Sequence, residues 1–241
     1  MDEPLLPETA DIETSTDDYA SRFAGPTGEW MLSVQERTVA LFLKDTGAKS
    51  VIDVGGGHGQ LAGPLYQRGY SVSVFSSNES CKRRIADLVD SGLCRFQVGD
   101  VTRMPFADRS FDAVLSFRLL PHCERWKSLV SELCRISTKH VIVDFPTTRS
   151  FNKLAPAMFD AKKKIEKNTR RWRMFSDREI AAEFASHGFR IERRMGQFFF
   201  PMALHRMLKC KPLSVAMERC SRTVGLNALF GSPVIVRAGR K

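Results

Sequence analysis

The sequence predicts an α/β fold in which one mostly parallel sheet carries helices on both faces. Two observations lead to it. Short apolar runs of strand length alternate with longer segments of helical period, as in a βαβ series. The first apolar run is followed at once by a glycine-rich turn. The chain has 241 residues, of which 43% are hydrophobic, so it can bury one substantial core and we expect one domain.

Seven strands are predicted, and helices fill the gaps between the first five. The best-marked helix begins at Ser176, where Ser-Asp-Arg-Glu forms a capping box with Glu179, and it ends at Gly188. The predicted strands are residues 50–54, 71–75, 94–98, 111–117, 140–145, 189–199 and 233–237.

The net charge of +10 is unevenly distributed. Residues 1–18 hold seven acids and no base, which leaves about +17 on the remainder. We therefore expect residues 1–18 to be a disordered acidic tail. The basic remainder would attract phosphate, nucleic acid or an anionic membrane surface, and charge by itself does not choose among them.

Hydropathy and cysteine spacing restrict the cell compartment and the metal chemistry. No apolar run approaches the roughly 18 to 20 residues of a spanning helix, and the acidic N-terminus is unlike a signal peptide. We expect a soluble, cytoplasmic protein that could lie at a membrane surface. The six cysteines show no paired CxxC spacing, so we expect buried reduced thiols, no disulfide and no metal site.

The stretch VIDVGGGHGQ, residues 51–60, indicates a ligand site. Glycines between a strand and a helix allow a sharp turn and let a ligand lie against bare backbone at the helix N-terminus. Asp53 ends the strand, and a carboxylate there is unfavourable beside a pyrophosphate. It suits a positively charged ligand, such as an amino-acid ammonium next to a sulfonium, which indicates S-adenosylmethionine.

Two further motifs support this ligand. GDVTRMPFADRSFDAVLSFRLLPH spans residues 99–122, and DDYASRFAGPTGEWMLSVQERTV spans residues 17–39. Together with the glycine turn, they resemble the class I S-adenosylmethionine-dependent methyltransferases, especially the ubiquinone and menaquinone biosynthesis subgroup and many small-molecule methyltransferases. The resemblance covers roughly residues 19–145. It implies a Rossmann-like sheet of seven strands, the last of them antiparallel.

The resemblance also implies residue roles. Asp53 would face the methionine ammonium, Asp100 would accept from the adenine amino group, and the backbone N–H of Val101 would meet the adenine ring. Glycines of the turn would form the floor of the site. The predicted cofactor-binding residues are Tyr19, Asp53, Gly55, Gly57, Gly59, Ser76, Asp100, Val101 and Phe117.

One position departs from the family pattern. The family normally ends its second strand with an acid that binds both ribose hydroxyls, and this chain has Ser76 there. A hydroxyl is a weaker acceptor than a carboxylate. Either Asn78 or Glu79 reaches the ribose instead, or the affinity for the cofactor is reduced.

Two histidines are candidates for chemistry. His122 follows the fourth strand at the edge where open α/β sheets bind ligands, so we predict it as the base for a hydroxyl or acidic-carbon acceptor. Holding its loop by a hydrogen bond is the competing interpretation. For His58, inside the glycine turn, we favour a role outside the chemistry.

Substrate choice is expected in two additions to the core, at about residues 147–175 and 201–231. The second mixes aromatic and methionine side chains with cations, which suits a lid, a dimer surface or a membrane-surface contact. The first suits an anionic or aromatic partner, or else forms a solvated helix face. Its cationic and aromatic residues are Lys162, Lys163, Lys164, Lys167, Arg170, Arg171, Trp172, Arg173 and Phe175.

The sequence therefore predicts a methyltransferase that acts on a small or lipid-like metabolite, for which an anionic acceptor fits the charge. An RNA methyltransferase is a less supported alternative, because no RNA-binding module and no Asn-Pro-Pro-Tyr or Asp-Pro-Pro-Tyr tetrad is present. A catalytically idle cofactor-binding scaffold is the second alternative, suggested by Ser76. The acceptor atom and the oligomeric state stay open.

Overall fold

The computed structural model describes residues 8–150 and 172–241. One sheet of seven strands forms its centre. The strands are β1 Ser50–Val54, β2 Ser71–Ser76, β3 Cys94–Val98, β4 Phe111–Ser116, β5 Ser137–Phe145, β6 Phe189–Phe198 and β7 Ser232–Arg240.

The sheet has the order β3-β2-β1-β4-β5-β7-β6. Neighbouring strands from β3 to β5 are parallel, whereas β7 lies antiparallel to β5 on one side and to β6 on the other. This confirms the predicted sheet and its antiparallel last strand. The strand order reverses between β1 and β4, and such a switch point opens a crevice at the carboxyl ends of the strands.

Helices cover both faces of the sheet. The helix Asp177–Ser186 begins as predicted, because the Ser176 hydroxyl accepts the backbone N–H of Glu179 at 3.1 Å. Two 3₁₀ segments, Glu79–Ile85 and Leu120–His122, follow β2 and β4. The helices are α1 Ala10–Thr14, α2 Asp17–Ser21, α3 Gly25–Leu43, α4 Ala62–Gln67, α5 Ala86–Asp90, α6 Trp126–Ile136, α7 Asp177–Ser186, α8 Met202–Leu208, α9 Lys211–Thr223 and α10 Leu226–Phe230.

The alternation of side chains along the strands divides the core between the two faces. Val51 and Leu115 pack in a cluster with α3 and α4. Ile52 and Val114, one residue away on the same two strands, pack in the opposite cluster with α6 and α7. Both faces of the sheet are therefore buried, as a parallel sheet requires, and polar groups can concentrate only at the strand ends.

Strand β5 begins earlier than predicted, at Ser137 instead of residue 140. Helix α6 ends at Ile136, so helix and strand follow each other without a loop, and Ser137 already pairs with Phe111 of β4. A prediction based on the apolar run alone misses the first residues of this strand, because they are polar. Strand β7 is also longer than predicted, because it pairs with a neighbour on each side.

The prediction of a disordered acidic tail is wrong for residues 8–18, which we call the acidic segment. It contains α1 and the start of α2, and several of its polar side chains are buried. Asp11 is 1% exposed and Thr14 is 2% exposed. The segment is ordered because its acids find basic side chains and backbone N–H groups at the strand ends, which composition does not reveal.

The bounds of the two additions and their substrate role stay predictions. Thr147 and Phe175 form a parallel bridge, so the first addition leaves the core and returns to it at neighbouring points. Its cationic residues from Lys162 to Arg171 lie outside the described residues. The second addition consists of α8, α9 and α10 between β6 and β7, and it packs against α3.

The cysteines follow the expectation of buried thiols only in part. Cys81, Cys94, Cys123 and Cys134 are buried thiols, but Cys210 and Cys220 are exposed, because they flank and lie on α9 at the surface. Within residues 8–150 and 172–241, no group of histidine, cysteine, aspartate and glutamate side chains could hold a metal ion. None of the described helices combines the length and hydrophobicity needed to cross a membrane.

Candidate active site

The glycine turn connects β1 to α4 and folds back against the neighbouring strand. Gly55 has a φ of 77° and donates its N–H to the carbonyl of Phe75 at 2.8 Å. Gly59 has a φ of 71°, and a Cβ added there would come within 2.9 Å of Ile85 Cγ2. The sharp turn and the close approach both require glycine.

Asp53 ends β1 beneath this turn and is 4% exposed. Its Oδ1 atom makes no hydrogen bond to the described residues. Burial raises the pKa of its carboxyl group to about 7, although the charge of Arg118 acts to lower it. A buried carboxylate oxygen without a partner is costly, so Asp53 is a candidate acceptor for a donor that carries positive charge.

Arg118 brings the opposite charge into the same cavity. It follows β4 with a φ of 59°, and its N–H donates to Asp144 Oδ1 at 2.7 Å. Its guanidinium donates to the side-chain oxygens of Gln35 and Gln60, both at 2.6 Å, and lies 4.6 Å from the ring centroid of Phe23. In the described part of the chain, no carboxylate lies within ion-pair distance of this guanidinium.

The cavity measures about 20 Å³, which is room for about one water molecule. Of the predicted cofactor residues, Asp53, Gly55, Gly59 and Phe117 line it together. Its remaining lining residues are Thr14, Gly56, His58, Gln60, Leu61 and Arg118.

His58 lies between the rings of Tyr19 and Phe23, with centroid distances of 5.7 and 5.5 Å. Burial, together with the charges of Arg118 and Arg84, lowers the pKa of His58 to about 3. The imidazole is therefore neutral at physiological pH and packs as an aromatic ring. Tyr19, predicted as a cofactor residue, contacts this ring and does not line the cavity around Asp53.

Asp100 lies beyond the end of β3 and is already hydrogen-bonded. Its Oδ1 accepts from the backbone N–H and the hydroxyl of Thr102, at 2.8 and 2.7 Å. Its Oδ2 lies 3.6 Å from a guanidinium nitrogen of Arg125. Burial acts to raise the pKa of Asp100, but these hydrogen bonds and the charge of Arg125 lower it overall. Asp100 is thus an ionised acceptor, and its neighbour Val101 is fully buried.

The end of β2 differs from the prediction in one respect. Ser76 is fully buried, and its hydroxyl makes no hydrogen bond to the described residues. Asn78 caps the following 3₁₀ segment by accepting the N–H of Ser80 at 2.9 Å, and Glu79 is exposed in the first turn of that segment. The acid at this strand end is Asp11 of the acidic segment, which accepts the N–H and the hydroxyl of Ser77.

His122 lies in the 3₁₀ segment that follows β4 and is half-buried. Its N–H donates to the carbonyl of Leu119 at 3.0 Å. It is not among the residues that line the cavity around Asp53. Its role as a base stays a prediction.

Sequence reasoning missed Asp11 and Arg118. Asp11 lies in an acid-rich stretch that is typical of disorder, and nothing in its spacing distinguishes it from its neighbours. Arg118 left a weak signal, because a charged residue directly after a buried strand lies at the ligand edge of a parallel sheet.

Comparison with known proteins agrees with this architecture. Residues 52–142 match the family model of a methyltransferase domain. A search of curated proteins finds no match. The chain is similar to the crystal structure of magnesium protoporphyrin IX methyltransferase from Synechocystis PCC 6803 with bound S-adenosylhomocysteine. The TM-score is 0.65 and the identity 17%, over 97% of this chain and 98% of that chain.

Two further solved structures show how widely the fold is used. A SAM-dependent methyltransferase from Thermotoga maritima matches with a TM-score of 0.61 and 18% identity, over 96% of this chain and 99% of that chain. The cyclase SpnF matches with a TM-score of 0.59 and 17% identity, over 85% of this chain and 80% of that chain. At such identities the likeness supports the fold, and the chemistry has to be argued from the site.

The match includes Asp53, the glycine turn and Asp100, and the sheet continues beyond it to the antiparallel last strand that the resemblance implied. Residues 52–142 therefore match a methyltransferase domain, and the described sheet has the fold of the solved structures to which the chain is similar.

Proposed function

We propose that this protein transfers the methyl group of S-adenosylmethionine to a small or lipid-like metabolite, for which an anionic acceptor fits the charge of the chain. The observation that carries the proposal is the Asp53 carboxylate, buried at the switch point with one oxygen unpartnered among the described residues. A ligand with an ammonium group satisfies that oxygen. Arg118, in the same cavity, supplies the complementary cation for a carboxylate.

The cofactor, when bound, supplies a methyl carbon that the sulfonium has already activated for in-line displacement. The residues that would hold it are Asp53 and the glycine turn at one end, and Asp100 with the N–H of Val101 at the other. Phe117 lines the cavity between β4 and the turn. The chain contributes mainly alignment and exclusion of water.

A proton must leave the acceptor if its nucleophile is a hydroxyl or an acidic carbon. We assign that proton to an imidazole nitrogen of His122, which lies in the segment after β4. The test is a comparison of His122→Ala with His122→Gln. Loss of turnover with retained cofactor affinity supports the assignment, whereas equal turnover in both variants and wild type contradicts it.

The second addition supports a lipid-like acceptor or a membrane-surface contact. Met207 is 74% exposed and Leu229 is 56% exposed on α8 and α10. Lys209 and Lys211 follow Met207 along the chain and are exposed. Apolar side chains next to cations suit a ligand or surface with an apolar body and an anionic end. The Synechocystis neighbour, named for a metalloporphyrin substrate, is compatible with an acceptor of this kind.

The decisive experiment has two stages. Calorimetry with S-adenosylhomocysteine should detect micromolar binding, and a thermal-shift screen of metabolites should then be run with that product present. We expect anionic or lipid-like metabolites to raise the melting temperature further. Absence of S-adenosylhomocysteine binding would contradict the proposal, and salt-dependent retention of RNA without any metabolite shift would favour the RNA alternative.

A further inference from the structure

The acidic segment lies across the crevice in which this fold class binds its ligand. At one end, Glu8 Oε1 accepts the N–H of Arg125 at 2.8 Å, beside Asp100. At the other end, the carbonyl of Ser15 accepts from Arg84 at 3.2 Å. The segment therefore runs from the end of β3 to the glycine turn and crosses the end of β2 between them.

Asp11 holds the middle of the segment at the end of β2. Its carboxylate accepts the backbone N–H of Ser77 at 2.7 Å and the Ser77 hydroxyl. The side chain is 1% exposed, so these bonds form away from water. An N–H group at the end of the second strand would otherwise be available to a ligand in the crevice.

The backbone of the segment also rests directly on the glycine turn. A Cβ added to Gly57 would lie 3.1 Å from the carbonyl oxygen of Asp11 and 3.1 Å from Ser15 Cβ. Thr14 closes one side of the cavity around Asp53. The bare glycine backbone, which serves close approach of a ligand, is thus covered by the chain itself.

We propose that the acidic segment is an internal competitor of the cofactor, which occupies the nucleoside part of the crevice and must undock before the cofactor binds. This inference rests on the proposed function. Asp11 takes up the Ser77 N–H at the end of β2, and the backbone of Asp11 and the Ser15 side chain cover Gly57, so the segment and a nucleoside exclude each other there. The outer contact, from Asp17 to Arg83 and Arg84, is exposed and adds little to docking.

Competition reduces the measured affinity in proportion to the docked fraction. If the segment is docked in about nine molecules of ten, its release tightens cofactor binding about tenfold. Asp11→Asn keeps the shape of the side chain and removes the charge that accepts from Ser77. We therefore expect Asp11→Asn to bind S-adenosylhomocysteine about tenfold more tightly than wild type.

Asp18→Asn is the matched control, because it makes the same chemical change in the same segment. The Asp18 side chain is 86% exposed, and its carboxylate lies 3.7 Å from the guanidinium of Arg22. Calorimetry should give wild-type affinity for this variant. Weaker binding by Asp11→Asn would overturn the inference, since Asp11 would then belong to the bound site.

A disulfide that holds the acidic segment in place tests the same inference in the opposite direction. Ser15 Cβ and Cys81 Cβ both lie next to Gly57, at 3.1 and 3.2 Å from a Cβ added there. Ser15→Cys should form a disulfide with Cys81 under an oxidant that accepts the two thiol hydrogens, and this should abolish binding until a reductant is added. Ser15→Cys with Cys81→Ser is the control, and it should bind with or without the oxidant.

These results distinguish failure of the competitor proposal from failure of the proposed function. A disulfide that does not form, or a locked protein that binds S-adenosylhomocysteine as well as the reduced one, overturns the competitor. Wild-type binding with an unchanged Asp11→Asn affinity overturns it and leaves the methyltransferase proposal intact. If neither wild type nor any released variant binds S-adenosylhomocysteine, the proposed function fails and the competitor fails with it.

Discussion

Two buried carboxylates in this molecule have opposite surroundings. Asp53, at the end of β1, is 4% exposed, and one of its oxygens is unpartnered among the described residues. Glu218, on α9, is 3% exposed and accepts hydrogen bonds from two backbone N–H groups and from Asn227, with His205 Nε2 at 3.0 Å. Burial is nearly equal, and the number of hydrogen bonds differs greatly.

The pKa values of the Asp53 and Glu218 carboxyl groups differ because their hydrogen bonds differ. Burial raises the pKa of Asp53 to about 7, because few interactions oppose it. Burial acts on Glu218 in the same direction, but its bonds from His205, the backbone and Asn227 hold its pKa below the ordinary value. A buried acid whose hydrogen bonds are satisfied stabilises the fold, whereas a buried acid with an unpartnered oxygen at a strand end is a candidate ligand-binding group.

The largest expected effect is on stability at Glu218. Glu218→Ala leaves two backbone N–H groups and the Asn227 amide without their acceptor, and it should reduce the free energy of unfolding by about 4 kcal/mol. Chemical denaturation measures this loss, and S-adenosylhomocysteine affinity of the folded variant should stay at the wild-type level. A stable Glu218→Ala protein with reduced affinity would contradict the distinction between a structural role for Glu218 and a binding role for Asp53.

The next effect is on binding at Asp53. Asp53→Asn removes the negative charge that faces the ligand ammonium, so affinity for S-adenosylhomocysteine should fall at least 100-fold, about 3 kcal/mol. The melting temperature of the ligand-free protein should not fall, because an amide is cheaper to bury than an unpaired carboxylate. Wild-type affinity in this variant would remove Asp53 from the site.

The raised pKa of Asp53 predicts that ligand affinity depends on pH. Ligand binding needs the ionised carboxylate, so affinity should rise about tenfold between pH 6 and pH 8 as a group with a pKa of about 7 loses its proton. Titration calorimetry across this range tests it. A flat profile in wild type, or the same slope in Asp53→Asn, would contradict the role of this carboxyl.

Stability of the ligand-free protein should change in the opposite direction. The folded pKa of Asp53 lies above its unfolded value, so the folded state holds the extra proton between the two values and loses relative stability as pH rises to about 7. Burial also raises the pKa of Asp144, to about 6, which gives a slope of the same sign. Denaturation in Asp53→Asn should retain only the Asp144 contribution.

The smallest expected effect is at Ser76. Ser76→Asp introduces a carboxylate as ribose acceptor and places it beside Asp11, which weakens docking of the acidic segment. Both changes should tighten S-adenosylhomocysteine binding, by about 1 kcal/mol. Glu79→Ala should have no effect, since Glu79 is exposed. Equal affinity for Ser76→Asp and wild type would show that this position does not read the ribose.

The sequence predicted what depends on local pattern. Apolar runs set the seven strands, and the acid-glycine turn located Asp53, because both signals lie within a few residues. Asp11 and the Glu218 cluster were not predictable in this way. Asp11 bonds to Ser77, 66 residues away, and Glu218 accepts from backbone groups of Phe199 and Phe200 whose positions depend on the packing of α8 and α9. Pairings over such distances are decided by tertiary packing, which composition does not encode.

The bridge between Thr147 and Phe175 places the two ends of the first addition next to each other. Phe175 N–H donates to the carbonyl of Pro146, and its own carbonyl accepts from Thr148, so the two ends are fastened beside each other by the core. Doubling the length of a loop between such fixed ends costs only about 0.6 kcal/mol. Insertions and replacements between these residues can therefore accumulate while the sheet stays unchanged.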